Sequence, residues 1–393
     1  MAEHRKLNIA MVCDPITDLM AGAIVSTMRF ATLLKERGHN IIFIAAKSPK
    51  NPHNNTVKGI PIYRSRGVLL PKSEGQLYIS WPGKRKIKKI LVDEKIDLVH
   101  IFFPLPSAYI AVKAARELGI KSISHSHSQP ENIFLHMPKF LAEGVLNEMW
   151  YSYLIWLYKK TDAVIFPSPF AKKIFPYRFK NKKKIIISNG VDTNRFKKIN
   201  ADKFLSKFKL SKKDKNILFV GRLHPEKHVD TVIQALPIML QKRKDIHLFI
   251  VGFGHLEEQL KKLVAGLGIA NNITFCGRVT GKELVLAYNA CDLFVLPSLA
   301  ELEGMVVLEA LACGKPILIA NSYKSAAADF VHKNGLLFRP KSHRDLAKQA
   351  LKIFSNEEHL KKMGEESLKM SRHYDLNESV DKLENFYYSV LQK

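Results

Sequence analysis

The sequence predicts an α/β protein with two parallel-sheet domains. Three observations carry that prediction. Short apolar runs alternate with stretches of helical spacing along the whole chain, the pattern of successive strand–helix units. The length, 393 residues, accommodates two such sheets. The composition, 46% hydrophobic with no repeat at a fixed period, is that of a globular chain.

The elements follow in order. Residues 8–13 read as a buried strand, and 14–23 as a loop carrying Gly22. Residues 24–37 have helical spacing, Gly38 is a helix stop, and 40–46 form the second strand, completing a βαβ opening. Residues 57–64 alternate like a strand. Residues 69–91 then set Leu69, Leu70, Tyr78, Ile79 and Trp81 beside Lys84, Arg85, Lys86, Lys88 and Lys89. A strand over 97–103, a helix over 107–118 and a strand over 121–124 lead to His125-Ser-His127-Ser-Gln129-Pro130-Glu131-Asn132. These histidines, with His136 beyond, lack a cysteine or paired carboxylate at ligand spacing, so no metal site is indicated. Residues 134–158 are aromatic and weakly amphipathic, as in a core helix. A strand over 162–168 follows, and 170–184 again mixes bases with aromatics. Asn189-Gly190-Val191-Asp192 closes the first half with a turn signal.

The second half opens with a basic helix and loop over 197–215. The strand 216–220 delivers Gly221-Arg222 and Glu226-Lys227 into a strand-to-helix connection. Arg222 offers a planar fork to a diphosphate and Lys227 a compact charge. The plain alternative is two surface bases in a basic protein. Strand 246–251 runs into Gly252-Phe-Gly254-His-Leu-Glu257. Glu257 stands where a dinucleotide loop needs Gly or Ala, which speaks against a nicotinamide site. Strand 273–279 ends at Arg278 and Val279. Strand 292–296 breaks at Pro297-Ser298, and after an acidic loop Gly304 opens a helix over 305–312. The N–H groups of Gly304, Met305 and Val306 suit phosphate or sugar oxygens. Glu301 and Glu309, eight apart, suit the hydroxyls of a ribose, a hexose or both. The alternative is a surface loop with three acids beside a buried helix. Strands over 316–320 and 335–338 and a run of helices finish the chain.

Net charge is +26, with +16 in residues 1–193 and +10 in the remainder. Such a balance implies an anionic partner, whether nucleic acid, membrane or polyanionic substrate, or else a solvated basic face. Cys13, Cys276, Cys291 and Cys313 form no metal-type pair and read as reduced and mostly buried. No apolar run approaches the roughly 20 residues that span a bilayer, and residues 7–12 are too short for a signal peptide. A cytoplasmic location is expected.

The spacing from Glu301 to Glu309, with Gly304 between and Gly314-Lys-Pro316 after, resembles the donor-site signature of retaining glycosyltransferases of the large fourth family, which have the two-domain GT-B fold. Gly221-Arg222 with Glu226-Lys227 and Asn189 to Asp192 are similar to the same family. The string from His127 to Asn132 resembles a subset acting on diacylglycerol-type lipids. The resemblance covers nearly the whole chain. It implies two Rossmann-like domains facing across a cleft: residues 1–192 on the acceptor side, 193–375 for the nucleotide sugar, and a last helix, 376–393, packing back on the first. It implies retaining transfer from a nucleotide sugar, such as UDP-glucose or another UDP-hexose, to a membrane-lipid or glycolipid acceptor. A polysaccharide or soluble acceptor is the alternative. The chain has no Asp-x-Asp pair, so metal independence and no cofactor are expected.

Carried over by residue, Arg222 and Lys227 hold the diphosphate and stabilise the departing nucleotide, and Glu309 holds the ribose. Glu301 and His127 position the sugar, with His125 as rival to His127. Arg278 and Val279 lie beside the base, and Gly304, Met305 and Val306 add backbone donors. Gly22 only partly matches the glycine pair that the family places near the donor phosphate. The basic, aromatic segments imply peripheral attachment to the inner face of the cell membrane, with its anionic surface. Two other classes remain. A nucleic-acid-binding protein, the less favoured, would show salt-dependent retention and no sugar-nucleotide turnover. A non-catalytic sugar-nucleotide sensor would bind without transfer.

Overall fold

The computed structural model describes residues 5–16, 22–47, 55–69, 78–129, 144–175, 182–279 and 281–392. The chain forms two compact units. One takes residues 1–130, 145–189 and 377–393; the other takes 131–144 and 190–376.

The first unit is built on strands β1 (Asn8–Val12), β2 (Asn40–Lys47), β3 (Thr56–Val57), β4 (Ile60–Leu69), β5 (Tyr78–Ser80), β6 (Leu98–Ile101), β7 (Lys121–His125), β8 (Ala163–Phe166) and β9 (Lys183–Ile186). They run in the order β3-β4-β2-β1-β6-β7-β8-β9, with β5 on β4. All pairings are parallel except β3–β4 and β4–β5. Central strands are apolar without alternation because helices cover both faces. The expected strand over 57–64 is in fact a hairpin into β4. Val57 pairs Ile60 across Lys58-Gly59, and both turn residues have positive φ, as a two-residue hairpin turn requires. The first helix, Gly22–Glu36, begins at Gly22 itself, so Gly22 is a helix start rather than a loop residue. Of the expected long helix over 134–158, the described part is Val145–Lys160; residues 134–143 lie outside the described residues, as do Leu70, Pro130 to Asn132 and His136. The last helix, Leu376–Leu391, buries Val380, Leu383 and Tyr387. Its Glu384 meets Arg37 and His39, and Tyr387 Oη lies 2.6 Å from His100 Nδ1.

The second unit carries β10 (Lys215–Val220), β11 (Ile246–Val251), β12 (Ile273–Gly277), β13 (Leu293–Leu296), β14 (Ile317–Ala320) and β15 (Gly335–Phe338), all parallel, in the order β12-β11-β10-β13-β14-β15. The chain leaves β10 in one direction and returns on its other side at β13. The order therefore reverses between β10 and β13, and the crevice beyond the C-terminal ends of such strands is where open α/β sheets bind ligands. The basic stretch 197–215 holds only the short helix Asp202–Lys207. The helix Met305–Ala312 follows the loop after β13; its residues from Val307 to Ala312 are all buried, which accounts for its apolar sequence.

Candidate functional site

The connection after β10 sits at that reversal. Gly221 and Arg222 leave the strand, Pro225–Lys227 makes one tight helical turn, and the helix Val229–Lys242 begins after it. The turn is fixed to the loop after β13. The Glu226 carbonyl accepts the Leu299 N–H at 3.0 Å and the Ser298 hydroxyl at 3.3 Å. The Glu226 carboxylate is itself buried, 2% exposed, a costly position for an acid unless it is paired. The half-exposed Arg222 supplies the pair, donating Nη2 to Glu226 Oε1 at 3.1 Å.

Gly252 and Gly254 have a structural use. Both take positive φ, and a Cβ on Gly252 would lie 1.8 Å from the Gly221 carbonyl oxygen, one on Gly254 2.5 Å from that of Leu223. The glycines let the loops after β10 and β11 touch backbone to backbone. Arg278, exposed beyond β12, lies with its guanidinium 5.3 Å from the Phe253 ring centroid. Val279 is buried.

The loop after β13 brings Glu301 against the same turn. Lys227 Nζ donates to Glu301 Oε1 at 2.5 Å, and each side chain is 14% exposed. The Glu301 carbonyl accepts the Ala326 N–H at 2.8 Å, so the loop after β14 is tied in as well. Gly304 has φ +100, and its carbonyl accepts the Val307 N–H at 2.8 Å. Met305 and Val306 thus head the helix with N–H groups outside its ladder. Glu309, one turn in, is 5% exposed and accepts from Tyr288 Oη at 3.0 Å.

Arg222, Lys227 and Glu301 are brought together by loops bonded to one another, and Glu309 stands a helical turn further on. The two bases meet glutamates here, where sequence reasoning had set them out for a diphosphate. That reasoning missed the roles of Glu226, Ser298 and Tyr288. An acid four residues after Arg222 was a usable signal for Glu226; Tyr288 lies far from Glu309 in sequence, and nothing local marks it.

His127 and Gly22 belong to the first unit. There His125 is stacked 4.2 Å from His127 and 5.5 Å from His100, beside Phe102. Both nitrogens of His125, and Nε2 of His100 and of His127, have no hydrogen-bond partner among the described residues. Burial pushes all three imidazoles down, His127 to about 3, so they are neutral at pH 7. In the same unit Asp14 accepts from Ser80 Oγ at 2.7 Å, while burial pushes its carboxyl up to about 6. Among the described residues no three His, Cys, Asp or Glu side chains converge as a metal site.

The surface of the first unit carries exposed apolar residues: Trp81 (75%), Val68 (70%) and Leu69. They flank the helix Lys84–Asp93. Lys84 and Lys88 both pair with Glu117, and Lys89 with Asp93, so acids offset part of that basic cluster. Among the described residues no helix is long and apolar enough to cross a membrane.

Two family models match the chain. Glycosyl transferases group 1 matches residues 200–370, from the helix Asp202–Lys207 and β10 into the helix Glu357–Arg372, and so takes in the whole site of the second unit; Glycosyltransferase Family 4 matches residues 20–195. The chain belongs to the family-four glycosyltransferases. Among relatives of this glycosyltransferase is the alpha-monoglucosyldiacylglycerol synthase of Streptococcus pneumoniae, 26% identical over 79% of this chain and 70% of that one. Its fold is that of the GT-B enzymes. Sucrose-phosphate synthase from Thermosynechococcus elongatus superposes with TM-score 0.83 at 18% identity, covering 98% of this chain and all of that one. Anabaena HepE in complex with UDP gives 0.79 at 19% identity, again covering 98% of this chain and 100% of the other.

Proposed function

We propose that this glycosyltransferase takes a hexose from a UDP-sugar and passes it, with retention of configuration, to a membrane-lipid or glycolipid acceptor. The observation that carries the reading is the meeting of Arg222, Lys227 and Glu301 at the β10/β13 reversal, with Glu309 in the helix that follows. Two cations and two carboxylates in that order suit the diphosphate, the sugar and the ribose of one extended ligand. Arg222 and Lys227 stabilise the negative charge that grows on the departing nucleoside diphosphate, without a metal. Glu301 and His127 position the hexose. His127, neutral, accepts or donates a hydrogen bond at the sugar rather than supplying charge. Arg278 and Val279 lie by the base, and the head of the helix at Gly304 to Val306 adds N–H donors. Gly22, which starts the first helix, is the proposed backbone contact to the donor phosphate.

The lipid acceptor and the UDP donor are supported by the relative that makes alpha-monoglucosyldiacylglycerol and by the fold neighbour that holds UDP. The exposed Trp81 and Val68 beside a basic helix support peripheral docking on an anionic membrane. The test is a panel of UDP- and GDP-sugars, each with and without lipid acceptor and with EDTA. The reading expects UDP release that depends on one UDP-hexose and on lipid and survives EDTA. Transfer only to a soluble glycan would favour the polysaccharide alternative. Nucleotide-sugar binding with no turnover on any acceptor would overturn the catalytic reading.

A further inference from the structure

We propose that the Lys227–Glu301 pair is an interlock through which the site senses whether the nucleotide carries its sugar. The inference rests on the donor-site reading above. It starts from the pair itself, 2.5 Å long with both side chains only 14% exposed. In a pair so far removed from water, taking one partner away leaves the other charge uncompensated. The loops that carry it are not at liberty to separate. The turn bearing Lys227 is bonded through the Glu226 carbonyl to Leu299 and Ser298, and Glu301 is bonded through its own carbonyl to Ala326.

A diphosphate that reaches Lys227 therefore competes with Glu301 for one positive charge: the ammonium has three N–H donors, but the two anions beside it repel each other. Arg222 is in a different position. Its partner Glu226 lies buried while Arg222 is itself half-exposed, and a guanidinium has five N–H donors, enough to hold Glu226 and a phosphate together. When Lys227 turns to phosphate, the Glu301 carboxylate loses its cation in a poorly solvated place. A bare nucleoside diphosphate offers nothing to replace it. A nucleotide sugar does, because the hexose hydroxyls donate to a carboxylate. The pair thus opposes the bare nucleotide, which is the product, and yields to the sugar-bearing donor. By linkage, phosphate and sugar recognition are coupled through two side chains.

Calorimetry with UDP and UDP-glucose on the intact chain, without acceptor, tests this. Wild type is expected to prefer UDP-glucose to UDP. Glu301→Gln removes the competing charge, so it should tighten UDP roughly fivefold or more, the lower range of such couplings, and narrow the preference for UDP-glucose. Lys227→Met should weaken both ligands, and adding Glu301→Gln to it should bring no gain for UDP, which closes the cycle. Thermal melts confirm that each variant is folded. If UDP binds wild type but binds Glu301→Gln equally well or more weakly, the interlock is wrong while the donor site stands. If wild type binds no nucleoside diphosphate at all, the donor site falls and the interlock with it.

Discussion

Tyr288 donates its hydroxyl to Glu309 at 3.0 Å in the core of the second unit. The acid is 5% exposed and the phenol fully buried, and the same burial holds the Tyr288 hydroxyl protonated by pushing its pKa well up. Glu309 is therefore a structural acceptor as well as the proposed ribose ligand, and its substitutions separate the two roles. Glu309→Gln keeps an acceptor for Tyr288 and should melt close to wild type, while nucleotide affinity falls about tenfold, the scale of one charge-assisted hydrogen bond. Glu309→Ala leaves the Tyr288 hydroxyl without that acceptor and should also cost about 1–3 kcal/mol of stability. Calorimetry with UDP and thermal melts read the two effects. Full nucleotide affinity in Glu309→Gln would remove Glu309 from the site.

The two cations should be unequal in stability and alike in catalysis. Arg222→Ala and Lys227→Ala should each lower kcat/KM by roughly 100-fold or more, since each removes a preorganised charge from a departing anion. Arg222→Ala also strips the partner from a glutamate that is 2% exposed, and it should lower the melting temperature more than Arg222→Lys does. Near wild-type turnover in both alanine variants would mean that the diphosphate is held elsewhere.

The stacked histidines make the first unit acid-sensitive. Each of His100, His125 and His127 has its folded pKa depressed by burial below 6.5. The folded state thus refuses protons that the unfolded state binds, so the stability is present above 6.5 and is lost as pH falls. For His127 the loss runs from 6.5 down to about 3, at about 1.4 kcal/mol per pH unit. Denaturant melts between pH 8 and pH 5 should show a falling midpoint, with a shallower slope in His127→Asn. A midpoint independent of pH would contradict the buried neutral state.

What the sequence disclosed follows from where its signals are local. The parallel strands were legible because buried strands are continuous apolar runs, and the helix Met305–Ala312 because Gly304 and Gly314 bracket it. Lys227 and Glu301 stood out as site candidates because each lies in a strand-to-helix connection. Their mutual pairing was not, because it depends on β10 and β13 being neighbours across 74 residues of chain. The same holds for Tyr387 reaching His100, which needs the last helix folded onto the first unit. Glu257 spoke against a dinucleotide loop at Gly252 and Gly254, and the packing of Gly221 and Leu223 against them gives both glycines their use.

Docking on anionic lipid should depend on the bases that no acid offsets. Arg85 and Lys86 are exposed and have no ion pair among the described residues, whereas Lys84 and Lys88 share Glu117. Each base near an anionic surface contributes about 1 kcal/mol. Replacing Trp81 with Ala and Arg85 and Lys86 with Gln should therefore cut co-sedimentation with anionic vesicles more than replacing Lys84 and Lys88 does. Binding should rise with anionic lipid and fall with salt. Equal binding to neutral and anionic vesicles would rule out an electrostatic dock.

Retaining transfer from a UDP-hexose to a lipid leaves its record in the anomeric configuration of the product. The purified chain is incubated with UDP-glucose and diacylglycerol in anionic vesicles, the glycolipid is extracted, and the proton coupling at its anomeric carbon is read by NMR. An α-linked glucolipid formed together with UDP is expected, matching the α-linkage of the donor. A β-linked product, or UDP-glucose left unconsumed while another class of donor is turned over, would contradict it.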